Sequence, residues 1–271
     1  MFYTRQFIED TLRVDRLPEY LYHYTSIETF ALILNSQRLR FSRLDTVNDP
    51  EEARTTDLKC ASTLVFASCW TEEDDELIAM WKLYTPDMQG IRLKMPTNLF
   101  AERKHPQIVE EGGAIQFFAG NVDISRKAPA LGIVVRCVFG PNKVHYTDDQ
   151  DYLVPSCITE HDNFTQIILH DLGKAKNHYW SFEREWRFML YAMPYEIRVQ
   201  HGSNDRNIIL DLEEYPVLET AHYLPLDKSA IEEMEILLGP RINDAQEILV
   251  KTLRDRYCPG VPITKSRLKV R

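Results

Sequence analysis

Leu21-Tyr22-His23-Tyr24-Thr25-Ser26-Ile27-Glu28 is the stretch that decides the fold. Residues 20 to 24 read as a strand whose side chains alternate, placing His23 and Thr25 on one face. Thr25 with Glu28 three residues later reads as a capping box, and Ile27, Phe30, Ile33 and Leu34 follow at helical spacing. The spacing therefore predicts a strand that runs straight into a helix. Working outward, residues 3 to 16 have the apolar spacing of a short helix, and Leu39 to Ser42 alternates as a short strand. Asn48-Asp49-Pro50-Glu51-Glu52 supplies a cap residue, a proline at the first helical position and two acids in the first turn, so a helix or helical turn is expected to begin there.

The rest of the chain continues this mixture. Leu64 to Trp70 is an apolar run of buried-strand length. An acid-rich turn from Thr71 leads into Leu77, Met80, Trp81 and Tyr84 at i, i+3, i+4 and i+7, which is an amphipathic helix with an aromatic stripe. Strands are expected at Gly90 to Met95, Leu131 to Phe139, Val144 to Tyr146, 182 to 191, Glu196 to Val199, Ile208 to Leu212 and Ile236 to Leu238. Phe164, Ile167, Ile168 and Leu172 predict a helix, and Ala245 to Tyr257 a second, introduced by Asn243-Asp244. With no internal period or linker, the chain reads as a single α+β domain over residues 1–271 with an insertion at about 96–130.

Composition narrows the class. With 41 acids against 32 bases the net charge is −9, which argues against generic coating of a phosphate backbone and leaves nucleic acid only as a localised partner. Five cysteines contain no C-x-x-C pair, and their odd number excludes a fully paired disulfide framework, so a reducing cytoplasm is the expected setting. The opening residues carry early charges and no apolar leader core, and no run of about 18 apolar residues occurs, so no membrane partner is expected.

Phe182-Glu183-Arg184-Glu185-Trp186-Arg187 carries the densest chemistry. Read as a strand, it puts Glu183, Glu185 and Arg187 on one face and Trp186, Phe188 and Leu190 on the other. Paired carboxylates suit a site where one acid stabilises positive charge and its neighbour tunes it; a solvated, ion-paired sheet face explains the same residues. His23 and Thr25 suit a ribose or phosphate beside a helix start, or a core histidine beside a helix cap. Trp81 and Tyr84 suit a stacked ring or plain core packing. The chain contains no P-loop, no dinucleotide glycine fingerprint, no nucleophile elbow and no zincin motif, and its histidines are too loosely spaced for a zinc site, so no metal is expected.

The ordered set Tyr22-His23-Tyr24-Thr25, Asn48-Asp49-Pro50-Glu51, Phe66-Ala67-Ser68-Cys69-Trp70, Met80-Trp81-x-x-Tyr84, Glu183-x-Glu185-Trp186-Arg187 and Ile236-Leu237-Leu238-Gly239-Pro240 resembles the bacterial domain-of-unknown-function family 2971 over about residues 20–255. That family implies no activity. A remoter resemblance, through His23-Tyr24-Thr25 and the helix behind it, is to the ADP-ribosyltransferase superfamily. It implies a bent or split mixed sheet, NAD as substrate, and a role in bacterial defence or a toxin-like system. By that resemblance Glu185 stabilises the oxocarbenium-like transition state with Glu183 as companion acid. His23, Tyr24 and Thr25 hold the cofactor, Tyr84 stacks nicotinamide, and Arg187 or Arg43 contacts pyrophosphate. The acceptor, protein or nucleic acid, stays open. Two rivals stand beside this reading: a noncatalytic nucleotide-sensing or protein-interaction module, and a phosphoester-processing enzyme acting on RNA or phosphorylated ribose. The resemblance lacks a match to the middle motif of that superfamily.

Overall fold

A computed structural model describes residues 17–100, 109–111, 114–116, 131–135, 138–162, 164–199, 206–209 and 217–270. The expected helix at 3–16 and most of the expected insertion lie outside them. The strands are β1 (Tyr20–Thr25), β2 (Arg38–Arg43), β3 (Val65–Thr71), β4 (Ile91–Pro96), a small hairpin of β5 (Val109–Glu111) and β6 (Ala114–Gln116), β7 (Leu131–Val135), β8 (Phe139–Lys143), β9 (His145–Thr147), β10 (Ile158–His161), β11 (Phe164–Ile167), β12 (Ala175–Asn177), β13 (Glu185–Val199), β14 (Arg206–Ile209), β15 (Ala221–Pro225), β16 (Glu235–Leu238) and β17 (Ile263–Lys265). The helices are α1 (Ile27–Ser36), α2 (Ile78–Tyr84), α3 (Gln150–Leu153), α4 (Lys228–Glu232) and α5 (Asp244–Tyr257). This is an α+β domain on a mixed sheet: the main order is β14-β13-β3-β1-β4-β16-β17, antiparallel except for β16 with β17.

The sheet forks at β3. One edge of β3 pairs with β13 from Thr71↔Glu185 to Val65↔Tyr191. The other edge meets β1 only at Tyr22↔Thr71, and then pairs with β2 at Ser42↔Ala67 and Arg43↔Phe66. One leaf continues through β1, β4 and β16; the other through β2 and β15. Between them, at Ser68 to Trp70, β1 is bridged to β3 by a side chain: His23 Nδ1 lies 2.9 Å from the Cys69 carbonyl.

Burial explains most of the strands. Leu21, Phe66, Trp70, Trp186, Phe188, Leu93 and Ile236 are buried in one large core. Gly90 lets the start of β4 approach β1 closely, since a Cβ there would sit 2.3 Å from the Thr25 carbonyl oxygen. Tyr24, Met80, Trp81 and Met88 form a second cluster under α2.

Several expectations are corrected. Thr25 does not cap α1: it stays in β1 opposite Ile91, and Ser26, one residue later, accepts from Thr29 N. Asn48 to Glu52 starts no α-helix. Asp49 Oδ1 accepts from Glu51 N and its carbonyl from Glu52 N, so the acids close a turn that goes no further. Helical structure begins at Ile78, well after Thr71, whose hydroxyl accepts from Glu73 N instead. The predicted helix from Phe164 is β11, hairpinned with β10: the partner strand supplies the backbone bonds, and the spacing of Phe164, Ile167 and Ile168 carries no sign of that partner. Glu183 is not on the strand: it ends a 3₁₀ segment from His178, and Arg184, at φ 44°, turns the chain before β13 begins. Glu196 to Val199 is the end of β13, paired with β14.

Candidate active site

Direct pairing fixes which side chains share a face, because residues opposite each other across antiparallel strands project together. Glu185 faces Thr71, Arg187 faces Cys69, and Thr71 faces Tyr22. These five side chains lie on the α2 side, and alternation returns Tyr24 to it. There Tyr24 packs edge-on to Trp81, with ring centroids 4.8 Å apart. Trp70 and Trp186 pair on the opposite face, and the His23 ring lies 5.0 Å from Trp70. Alternation along β1 therefore turns His23 and Thr25 away from the face of Glu185. His23 and Glu185 sit two strands apart at the closed end of the fork, on opposite faces.

Around Glu185 the chain builds a buried network of three acids and two cations. Arg187 donates from Nε and Nη2 to Glu185, each at 2.8 Å, and from Nη1 and Nη2 to Glu52 at 2.5 and 2.6 Å. Its Nη1 also donates to the Gly173 carbonyl at 2.8 Å. Lys176 Nζ contacts Glu183 at 2.7 Å, Glu52 at 3.3 Å and Glu185 at 3.4 Å, and lies 4.4 Å from the centre of the Trp180 ring. The Tyr84 hydroxyl donates to Glu183, Glu185 N donates to the Tyr146 hydroxyl at 2.9 Å, and the Cys69 thiol helps to lower the Glu185 pKa. The αL turn at Arg184 brings Glu183 beside Glu185 although the two do not share a strand.

The two acids respond in opposite directions. Burial raises the Glu185 pKa, but Arg187 and then Lys176 more than offset it and hold the carboxyl at about 2. Glu183 is raised by burial and by the neighbouring Glu185, which Lys176 and Tyr84 only partly offset. Burial opposes the charge on Lys176, yet Glu185, Glu52 and Glu183 raise its pKa. Pushing two neighbouring acids apart in this way separates a group held ionised from one that keeps its proton to higher pH than a free carboxyl. Burial lowers the His23 pKa against the bond to the Cys69 carbonyl. Because a carbonyl only accepts, Nδ1 carries the proton, and the neutral ring offers Nε2 as an acceptor.

Of the expected site residues, Glu183, Glu185 and Arg187 come together, with Tyr84 attached through Glu183 and Tyr24 on the same side. Arg43 does not join them. It spends its donors on Asp45 and on the carbonyls of Val217 and Glu219. Glu52, Lys176 and Tyr146 belong to the network and were missed. Glu52 stood in the motif read as a helix start, where its neighbour Glu51 is exposed and Glu52 buried. Among the described residues there is no group of three or more His, Cys, Asp or Glu arranged to hold a metal ion. Cys69, Cys157 and Cys258 form no disulfide, and no described helix is long and apolar enough to cross a membrane.

A family model described as a protein of unknown function, DUF2971, matches residues 80–188. The family resemblance read from the motifs is borne out over that span, which contains most of α2, Lys176, Glu183, Glu185 and Arg187 and excludes His23 and Glu52. No curated protein and no solved structure matches the chain.

Proposed function

We propose that the chain is an ADP-ribosyltransferase-type enzyme acting on NAD, in a bacterial defence or toxin-like setting. The observation that carries the reading is the forked sheet. A histidine-bearing strand runs directly into a helix, leaves its neighbour after a single residue pair and is bridged to it by His23, and the far edge of that neighbour pairs with the late strand that opens with Glu185. In this reading the bond between nicotinamide nitrogen and ribose C1′ breaks, the electron pair leaves with nicotinamide, and positive charge builds on the ribose until an acceptor nucleophile attacks C1′. Glu185, ionised throughout the physiological range, stabilises that charge; removing such a group costs roughly 10²–10³ in rate. Glu183 orients the ribose with Tyr84, Tyr24 and Tyr84 offer ring surface to nicotinamide, and His23 Nε2 accepts a hydroxyl from the other side of the fork. Ligand must therefore reach both faces, which requires the fork to open.

A noncatalytic nucleotide-binding module is favoured by one specific observation: His23 and Glu185 project to opposite faces, and Glu185 is already held by Arg187 and Lys176. The phosphoester reading has less support. It needs two cations free to converge on a phosphate, whereas Arg43, Lys176 and Arg187 are each paired with acids.

Thermal shift with NAD and ADP-ribose, on wild type, His23→Ala and Glu185→Gln, tests the reading. Ligand at about 100 times its dissociation constant stabilises by roughly 2.7 kcal/mol, a shift of a few degrees for a domain of this size. The enzyme reading expects a shift in wild type that is lost in His23→Ala and kept in Glu185→Gln. No shift with either nucleotide would overturn it.

A further inference from the structure

The segment that follows β17 carries an inference beyond the reaction. Ser266 N donates to the Leu238 carbonyl at 2.9 Å, and Arg267 N donates to Glu76 Oε1 at 3.0 Å. The same Glu76 accepts from Trp81 Nε1 through its other oxygen at 3.1 Å, so one carboxylate ties the segment to α2. From there the side chains alternate: Arg267 and Lys269 are exposed, while Leu268 and Val270 are half-buried and pack against the cluster of Tyr24, Met80, Trp81 and Met88. Tyr84 packs against that same cluster and donates its hydroxyl to Glu183. The segment thus packs on the same aromatic cluster that Tyr84 touches. Residues 267–270 belong to no strand or helix, so few backbone bonds hold them there.

We propose that residues 266–270 are a displaceable strap over the cluster of Tyr24 and Trp81 on which Tyr84 also packs, and that a nucleotide binds by replacing Leu268 and Val270 with its own planar ring. This rests on the NAD reading above. The exchange swaps one half-buried apolar contact for another, and aromatic faces accept a stacked ring as readily as aliphatic side chains. The exposed Arg267 and Lys269 present positive charge to an incoming pyrophosphate. Binding to wild type is weakened by the fraction of molecules in which the strap is closed.

The test is titration calorimetry with NAD and with ADP-ribose on wild type, on a chain ending at Lys265, and on full-length Leu268→Ser/Val270→Ser, with circular dichroism confirming the fold. The strap predicts at least tenfold tighter binding to both variants, and return to the wild-type value when a peptide of residues 264–271 is added to the shortened chain. If the shortened chain fails to fold, the double-serine variant decides. Equal affinity for wild type and the folded variants would overturn the strap and leave the NAD reading standing. Absence of binding by every form would overturn both.

Discussion

Arg187 is shared between Glu52 and Glu185: one guanidinium, fully buried, binds Glu52 through two nitrogens and Glu185 through two. The turn after Asp49 is thereby fastened to the strand that carries the central acid. Replacing Arg187 by Met leaves buried carboxylates with a lost partner, and breaking such a pair costs about 3–5 kcal/mol. Arg187→Met should lower the urea midpoint accordingly. Arg187→Lys should recover only part of that loss, since an ammonium cannot reproduce the two-sided fork.

Acid sensitivity follows from Glu185. Its folded pKa lies at about 2, below the ordinary 4.5, so its ionised form favours the folded state above pH 4.5 and that contribution disappears as pH falls towards 2. The shift corresponds to stability on the order of 3 kcal/mol. Melting temperature measured between pH 6 and 2.5 should fall less steeply in Glu185→Gln than in wild type.

Glu183 has the opposite sign. Its pKa is raised in the folded state, so folding is favoured below the unfolded value and loses ground as pH rises through the folded one. Glu183→Gln should flatten that part of the profile. Tyr84→Phe, which removes a bond that lowers the Glu183 pKa, should move it to higher pH and cost about 1–3 kcal/mol as the buried acid loses a donor. A profile unchanged in both variants would contradict the assignment.

Gly173 supports the same network from behind. Its carbonyl accepts from Arg187, its φ is +74°, and a Cβ would come within 2.5 Å of Leu44 Cδ1 and 2.7 Å of Met189 Cε. Gly173→Ala should therefore destabilise by more than about 1 kcal/mol, read from chemical denaturation.

Much of the frame was legible because it rests on local patterns. The passage from β1 into α1, the buried run of β3 and the aromatic stripe of α2 depend on periodicity, and the start of α5 on the Asn243 cap. The hairpin at β10 and β11 was not, since Phe164 to Ile167 forms a strand only with Ile158 to His161 beside it. Glu183 and Glu185 were found as a pair on the wrong grounds: an αL turn at Arg184 joins them in place of strand alternation. Glu52 and Lys176 were invisible because their roles come from tertiary contacts with Arg187, Glu183 and Glu185.

The most direct measurement is nicotinamide release from NAD by purified wild type and by Glu185→Gln, with both confirmed folded. The enzyme account predicts release by wild type and a fall of at least roughly 10²-fold in the variant, with NAD binding retained. Equal release by the two proteins, or binding of NAD by wild type with no release, would contradict it.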